Sequence, residues 1–180
     1  MIKFYTEKLD DKLYGELLPI LKASMDEVYA IKEDKTLANS MNLDNVLTSN
    51  VNYNYYLEKQ RQGLLHISTA RNEKDELVGH WSLVLNFHGQ SKNLLIANCE
   101  NLHIIKEYRK GDNAKRFMIY TEDVLRKKGV KQIYFGVNPQ LGTDNMLKRA
   151  GWSLDEIVFT KTNYNGALYK CCFKKYKDFK

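Results

Sequence analysis

The sequence predicts an α/β (α+β) fold: a mixed, mostly antiparallel sheet with one parallel β-α-β crossover and flanking helices. Three observations predict it. Strand-like segments at 64–70, 77–87 and 94–105 follow one another across the short polar turns 72–76 and 88–93, the pattern of an antiparallel meander. Ala114, Phe117, Met118, Thr121, Val124 and Leu125 then recur at helical spacing, Gly129 ends the helix, and a short apolar strand follows at 132–137. A strand, a crossover helix and a strand in that order imply parallel pairing. Finally, Asn165-Gly166 between strand-like segments 154–160 and 167–173 is a hairpin signal that closes the sheet.

The remaining elements follow from spacing. Residues 2–6 alternate weakly and read as a first strand. Leu13, Leu17, Leu18, Leu21, Met25 and Val28 form a helical face, and Pro19 inside it predicts a kink or a new start. Residues 33–52 are polar and Asn-rich; Met41, Leu43, Val46 and Leu47 give this connection one short helical face. Residues 53–62 read as a helix stopped by Gly63. Pro139 and Gly142 mark a loop, and 143–150 a short helix closed by Gly151. No repeat, low-complexity tract or linker divides the chain, so residues 1–180 are expected to form one domain.

Composition narrows the function classes. A chain of 180 residues with 43% hydrophobic content can bury a proper core. No apolar run reaches the length of a membrane span, and Met1-Ile-Lys-Phe-Tyr lacks the apolar segment of a secretory signal. Cys99, Cys171 and Cys172 are odd in number, two are adjacent, and neither C-x-x-C nor H-E-x-x-H occurs. This predicts neither a disulfide framework nor a metal site, and the cytoplasm is the expected compartment. The formal charge of +6 favours anionic ligands. Lys170, Lys174, Lys175, Lys177 and Lys180 read as a solvated tail or, alternatively, as part of a basic nucleic-acid-binding module, although no nucleic-acid-binding motif accompanies them.

The most informative stretch runs from Asn98 to Ala114: a strand, a tight polar turn and a helix start. Consecutive backbone N–H groups at such a turn form a nest for phosphate, and the helix dipole adds to it. Arg109, Lys110 and Lys115 supply positive charge there. A pyrophosphate-bearing cofactor is the expected ligand.

This order of elements resembles the Gcn5-related N-acetyltransferase superfamily. Its fingerprint, Arg/Gln-x-x-Gly-x-Gly/Ala between a strand and a helix, corresponds here to Arg109-Lys110-Gly111-Asp112-Asn113-Ala114, with Asp112 at the fourth position and Gly111 one place early. Residues 55–71, Glu76-Leu-Val-Gly-His80 and Glu107-Tyr-Arg-Lys-Gly111 are similar to acetyltransferases encoded by bacteriophages. So are Gly129-Val130, Gly151-Trp152 and Val158-Phe-Thr-Lys161. The resemblance covers roughly residues 50–162 and is slight over the first third.

The resemblance implies acetyl-CoA binding and acetyl transfer to an amine. Amides of Gly111, Asp112, Asn113, Ala114 and Lys115 would hold the pyrophosphate, with Arg109 and Lys110 nearby. The strand edge at Leu102, His103, Ile104 and Ile105 would pair with the pantetheine arm. A backbone N–H there would face the thioester oxygen. Asn138, after the strand at Val137, would contact pantetheine or the adjacent loop. Glu100 stands where several members keep a carboxylate and is the expected general base. Where many members carry a Tyr that protonates the departing thiolate, this chain has Leu147; Tyr120, Tyr134 or water would take that part.

His80 beside Trp81 reads as a packed strand histidine or as a lining residue of the acceptor pocket, and Tyr53, Tyr55 and Tyr56 as helix packing or as a stacking surface for the acceptor. The expected acceptor is an amine on a small molecule, a protein or a modified nucleobase. The alternative is a catalytically inactive member of the fold that binds a host protein. The closing hairpin offers an edge for homodimer pairing.

Overall fold

The structure is a computed structural model and describes residues 2–30, 52–89, 91, 93–136, 147–161 and 169–176. The elements are β1 (Lys3–Glu7), α1 (Asp11–Ala30), α2 (Tyr53–Arg61), β2 (Leu65–Arg71), β3 (Leu77–Phe87) and β4 (Leu95–Ile104). A single 3₁₀ turn (Lys106–Tyr108), α3 (Asn113–Lys127), β5 (Gln132–Tyr134), β6 (Ser153–Lys161) and β7 (Tyr169–Tyr176) follow. No helix among the described residues is long and apolar enough to cross a membrane.

Five strands pair in the order β1-β2-β3-β4-β5. β1 and β2 run antiparallel from Lys3↔Arg71 to Glu7↔Ile67, and β2 and β3 antiparallel from Leu65↔Val84 to Ala70↔Gly79. β4 and β5 are parallel through Ile96↔Gln132, Ala97↔Ile133 and Asn98↔Tyr134. This is the mixed, mostly antiparallel sheet with one parallel crossover that the sequence predicts.

Four expectations need correction. The hairpin β6-β7 forms a separate two-stranded sheet and does not close the first one. β5 stops at Tyr134 and does not reach residue 137. Phe135 is buried outside the strand, so its apolar character reflects packing and not pairing. α1 is one helix through Pro19, so the proline does not mark a new start; it lies on the exposed side together with Gly15, where solvent can serve the carbonyl that the proline leaves without a donor. Lys170, Lys174 and Lys175 lie within β7, not in a tail. The connection expected at 33–51, residues 137–146 with Asn138, and the Asn165-Gly166 turn lie outside the described residues.

The chain divides into two compact units, residues 1–84 with 100–121, and residues 85–99 with 122–180. In the first, Leu9, Leu13, Leu17, Leu65, Ile67 and Val84 form an apolar cluster between α1, α2 and one sheet face. Burial of each such side chain contributes about 1.5–3 kcal/mol. The other face receives the first half of α3, where the Phe4 and Phe117 rings lie 5.2 Å apart. Gly79 is held where β3 meets β4: a Cβ there would stand 3.0 Å from the His103 carbonyl oxygen. In the second unit, Trp152 meets Phe135 edge-to-face at 6.0 Å, and its Nε1 donates to Glu122 at 2.8 Å.

One polar network is built into the first unit. Arg71, 5% exposed, donates from Nε to Glu7 Oε1 at 2.9 Å and from Nη2 to Glu16 Oε2 at 2.7 Å. Its Nη1 donates to the Asp75 carbonyl at 2.9 Å, and Thr69 donates to Glu7. β1, β2 and α1 thereby share one buried guanidinium.

Candidate active site

Two features of the first unit bear on chemistry: the turn into α3 and a cavity on the α1–α2 side of the sheet. β4 has no β5 partner after Asn98 among the described residues. It ends at Ile104, the Ile105 N–H donates to the Val78 carbonyl at 2.9 Å, and the chain passes through the 3₁₀ turn into α3. Gly111 adopts φ 63°, a left-handed conformation that glycine takes without strain, and the space beside it is open. Backbone bonding resumes with the Arg116 N–H, which donates to the Asp112 carbonyl at 2.8 Å. From Lys110 to Lys115 no amide donates to a backbone carbonyl among the described residues. Lys110, Asp112 and Lys115 are exposed there, and Asn113 folds back to donate to the Tyr108 carbonyl at 3.1 Å. These residues fit a phosphate-bearing group: amides without backbone acceptors stand at the N-terminal, positive end of a helix dipole, and Lys110 and Lys115 flank them in sequence.

Arg109 sits differently from the sequence expectation. Its Nε donates to the Ile104 carbonyl at 2.6 Å, and its Nη2 contacts both oxygens of Glu27 at 2.7 and 2.8 Å. The guanidinium therefore ties the end of β4 to α1. His103, buried beneath it, has its pKa lowered first by burial and then by Arg109.

The cavity, about 390 Å³, is walled by Leu17 and Leu21 of α1, Leu65 and Ile67 of β2, and Tyr55 and Tyr56 of α2. His80, Ser82, Glu100 and Asn101 supply its polar lining. Asn52 caps α2 by accepting from the Tyr55 N–H at 3.0 Å, which fixes the two tyrosines at the helix start. The Tyr56 hydroxyl donates to Glu100 Oε2 at 3.4 Å, and burial together with the Glu100 charge pushes its pKa up to about 12. Tyr56 is therefore a neutral donor beside a carboxylate. Of these lining residues, Glu100 is exposed and His80 is fully buried.

Glu100, Tyr55, Tyr56 and His80 thus share one cavity. Tyr120 does not join them: its hydroxyl lies 3.3 Å from Thr6 Oγ1 and its ring against Phe4, on the α3 face. Tyr134 and Leu147 are buried. Asn101 and Ser82 escape the sequence reading because nothing in their spacing sets them apart from ordinary strand polar residues.

His80 makes stability pH-dependent. Burial, with His103 second, lowers its pKa from 6.5 to about 3. The unfolded chain therefore binds a proton that the folded chain refuses, and stability falls as pH drops below 6.5. His80 alone is expected to remove about 1.4 kcal/mol per pH unit between 6.5 and the lower value. Urea midpoints from pH 7 to 4.5 should fall more steeply for the wild type than for His80→Leu; parallel slopes would refute the assignment.

No protein-family model matches the sequence, and no curated protein matches it. Solved structures do. The PaiA N-acetyltransferase of Thermoplasma acidophilum, in complex with coenzyme A, has a TM-score of 0.66 at 16% identity over 98% of this chain and 99% of that one. An acetyltransferase of the GNAT family from Staphylococcus aureus gives 0.63 at 14% identity, covering 99% and 100%. An aminoglycoside acetyltransferase from a soil metagenome, in complex with sisomicin, gives 0.63 at 13%, covering 91% and 95%. At such identities the likeness speaks of architecture: the chain has the fold of the Gcn5-related (GNAT) acetyltransferases.

Proposed function

We propose that residues 1–180 form one domain that binds acetyl-CoA and transfers the acetyl group to a primary amine, which attacks the thioester directly. The observation that carries this reading is the conjunction at the end of β4. Among the described residues the strand has no β5 partner after Asn98. The turn it leads into leaves the amides from Lys110 to Lys115 without backbone acceptors among the described residues. The strand residues Leu102, His103, Ile104 and Ile105 would align the pantetheine arm. The amides of Gly111, Asp112, Asn113, Ala114 and Lys115 would hold the pyrophosphate, with Lys110 and Lys115 neutralising its charge. Acetyl-CoA supplies the acetyl group as an activated thioester. Fold neighbours crystallised with coenzyme A and with sisomicin support both the cosubstrate and an amine acceptor.

In this reading Glu100 takes the proton from the acceptor ammonium, and Tyr56 keeps the carboxylate oriented. Tyr120 has no part in it, and water protonates the departing thiolate. The similarity of residues 50–162 to bacteriophage enzymes supports a phage or mobile-element source, with the host cytoplasm as the place of action.

Coenzyme A is expected to raise the melting temperature. At a hundredfold excess over Kd the added stability is about 2.7 kcal/mol, or about 5–11 °C for a chain of this size. Titration calorimetry that detects no uptake of coenzyme A or acetyl-CoA would overturn the reading.

A further inference from the structure

Arg109 has a task other than the one its place before the turn suggests. Its Nε donates to the Ile104 carbonyl at 2.6 Å, and its Nη2 reaches both Glu27 oxygens at 2.7 and 2.8 Å. The next residue, Ile105, gives its N–H to Val78 of β3, so the Ile104 carbonyl points to the opposite edge of β4. That edge has no β5 partner after Asn98 among the described residues, and it is where the thiol arm would lie. Arg109 thus takes up the carbonyl at the end of the open edge and fastens it to α1, the helix that carries Glu27.

The charges around it point the same way. His103 Nε2 lies 3.4 Å from Nη2 and 4.0 Å from Glu27 Oε1, and burial lowers its pKa, which keeps the imidazole neutral at pH 7. The Arg109 cation is therefore paired with Glu27 and not shared with a second acid among the described residues. A phosphate drawn to the remaining nitrogen, Nη1, would approach the Glu27 carboxylate, like charge against like. Lys110 and Lys115 remain for the diphosphate.

We infer that Arg109 is a positioning residue: held by Glu27, it sets the end of β4 against which the pantetheine arm lies, and it does not bind the phosphates. This role rests on the transferase reading. It makes Glu27, which belongs to no motif in the sequence, a determinant of cosubstrate affinity, with a sign that electrostatics alone would reverse. Removing a carboxylate beside a phosphate site strengthens binding; removing one that holds the brace weakens it. Leu17 and Leu21, which wall the cavity, stand on the same helix as Glu27, so the brace also joins the acceptor wall to the cosubstrate strand.

The test is titration calorimetry of the full chain with coenzyme A at pH 7. Glu27→Ala is expected to weaken binding about tenfold. Arg109→Lys keeps the charge but loses the planar fork that bridges carbonyl and carboxylate, so it should weaken binding as much. The double variant should be no weaker than either single one, because both changes break one connection. Arg109 and Glu27 are 39% and 41% exposed, and so exposed a pair adds little to global stability. Melting temperatures without coenzyme A should therefore stay within about 4 °C of the wild type, which separates positioning from a general loss of structure. Tighter binding by Glu27→Ala, wild-type affinity in Arg109→Lys, additive losses in the double variant, or a larger fall in melting temperature would each overturn the inference and leave the transferase reading intact. A wild type that takes up no coenzyme A would overturn both.

Discussion

Arg71→Leu is expected to lower stability by about 3–5 kcal/mol, because it leaves two carboxylates facing each other without their shared cation. For a chain of this size that is a drop in melting temperature of about 6–20 °C. Glu7 and Glu16 come from β1 and α1, 64 and 55 residues away in sequence, so the loss uncouples the edge strand and the first helix from β2 together. A leucine cannot replace three separate hydrogen-bonding directions, and the Asp75 carbonyl also loses its donor. The acid side of the profile carries a signature. Burial alone would raise the Glu7 pKa, but the hydrogen bonds from Arg71 and Thr69 more than offset it and hold it below its ordinary 4.5. The stability that Glu7 contributes is therefore complete above 4.5 and is lost as pH falls through the lower folded value. Wild type and variant should converge on acidification from 4.5 downward. Urea midpoints at pH 7 and pH 3.5 measure this; a gap that is small at pH 7, or constant between the two, would refute it.

The legible part of the fold was the part written locally. Strand runs separated by polar turns mark the meander, and the 3.6-residue face from Ala114 to Leu125 marks α3, because each pattern is set by neighbours in sequence. Where a partner decides, the sequence is mute. The apolar run past Tyr134 looks like strand, yet pairing ends there and Phe135 is buried against Trp152 instead. Pro19 reads as a break, yet it lies on the solvent side, where a missing donor costs least. The same division holds at the site. Glu100 and the turn into α3 stand out by their place in a known order of elements. The pairing of Arg109 with Glu27 spans 82 residues and depends on how α1 lies across the sheet. It takes an arginine from the expected phosphate set and makes it a brace. Ser82 and Asn101 become visible only once β3 and β4 bring them to one cavity.

Glu100→Gln is expected to reduce acetyl transfer at pH 7 by about 10²–10⁴-fold, the usual contribution of a positioned general base. The need for a base follows from the acceptor. An alkylamine with a pKa of about 10.4 is neutral in only about one molecule in 2,500 at pH 7. Glutamine keeps the shape and can still receive the Tyr56 hydroxyl hydrogen bond, so folding and coenzyme A affinity should be unchanged, and melting curves with and without coenzyme A check this. What glutamine cannot do is accept the proton. The variant's rate should therefore rise about tenfold per pH unit toward the pKa of the amine, while the wild type rises less steeply. At high pH the two should converge. A loss independent of pH would mean that Glu100 only holds the acceptor. No loss at any pH would mean that the proton leaves by water alone and that the Glu100 carboxylate neither takes the proton nor holds the ammonium.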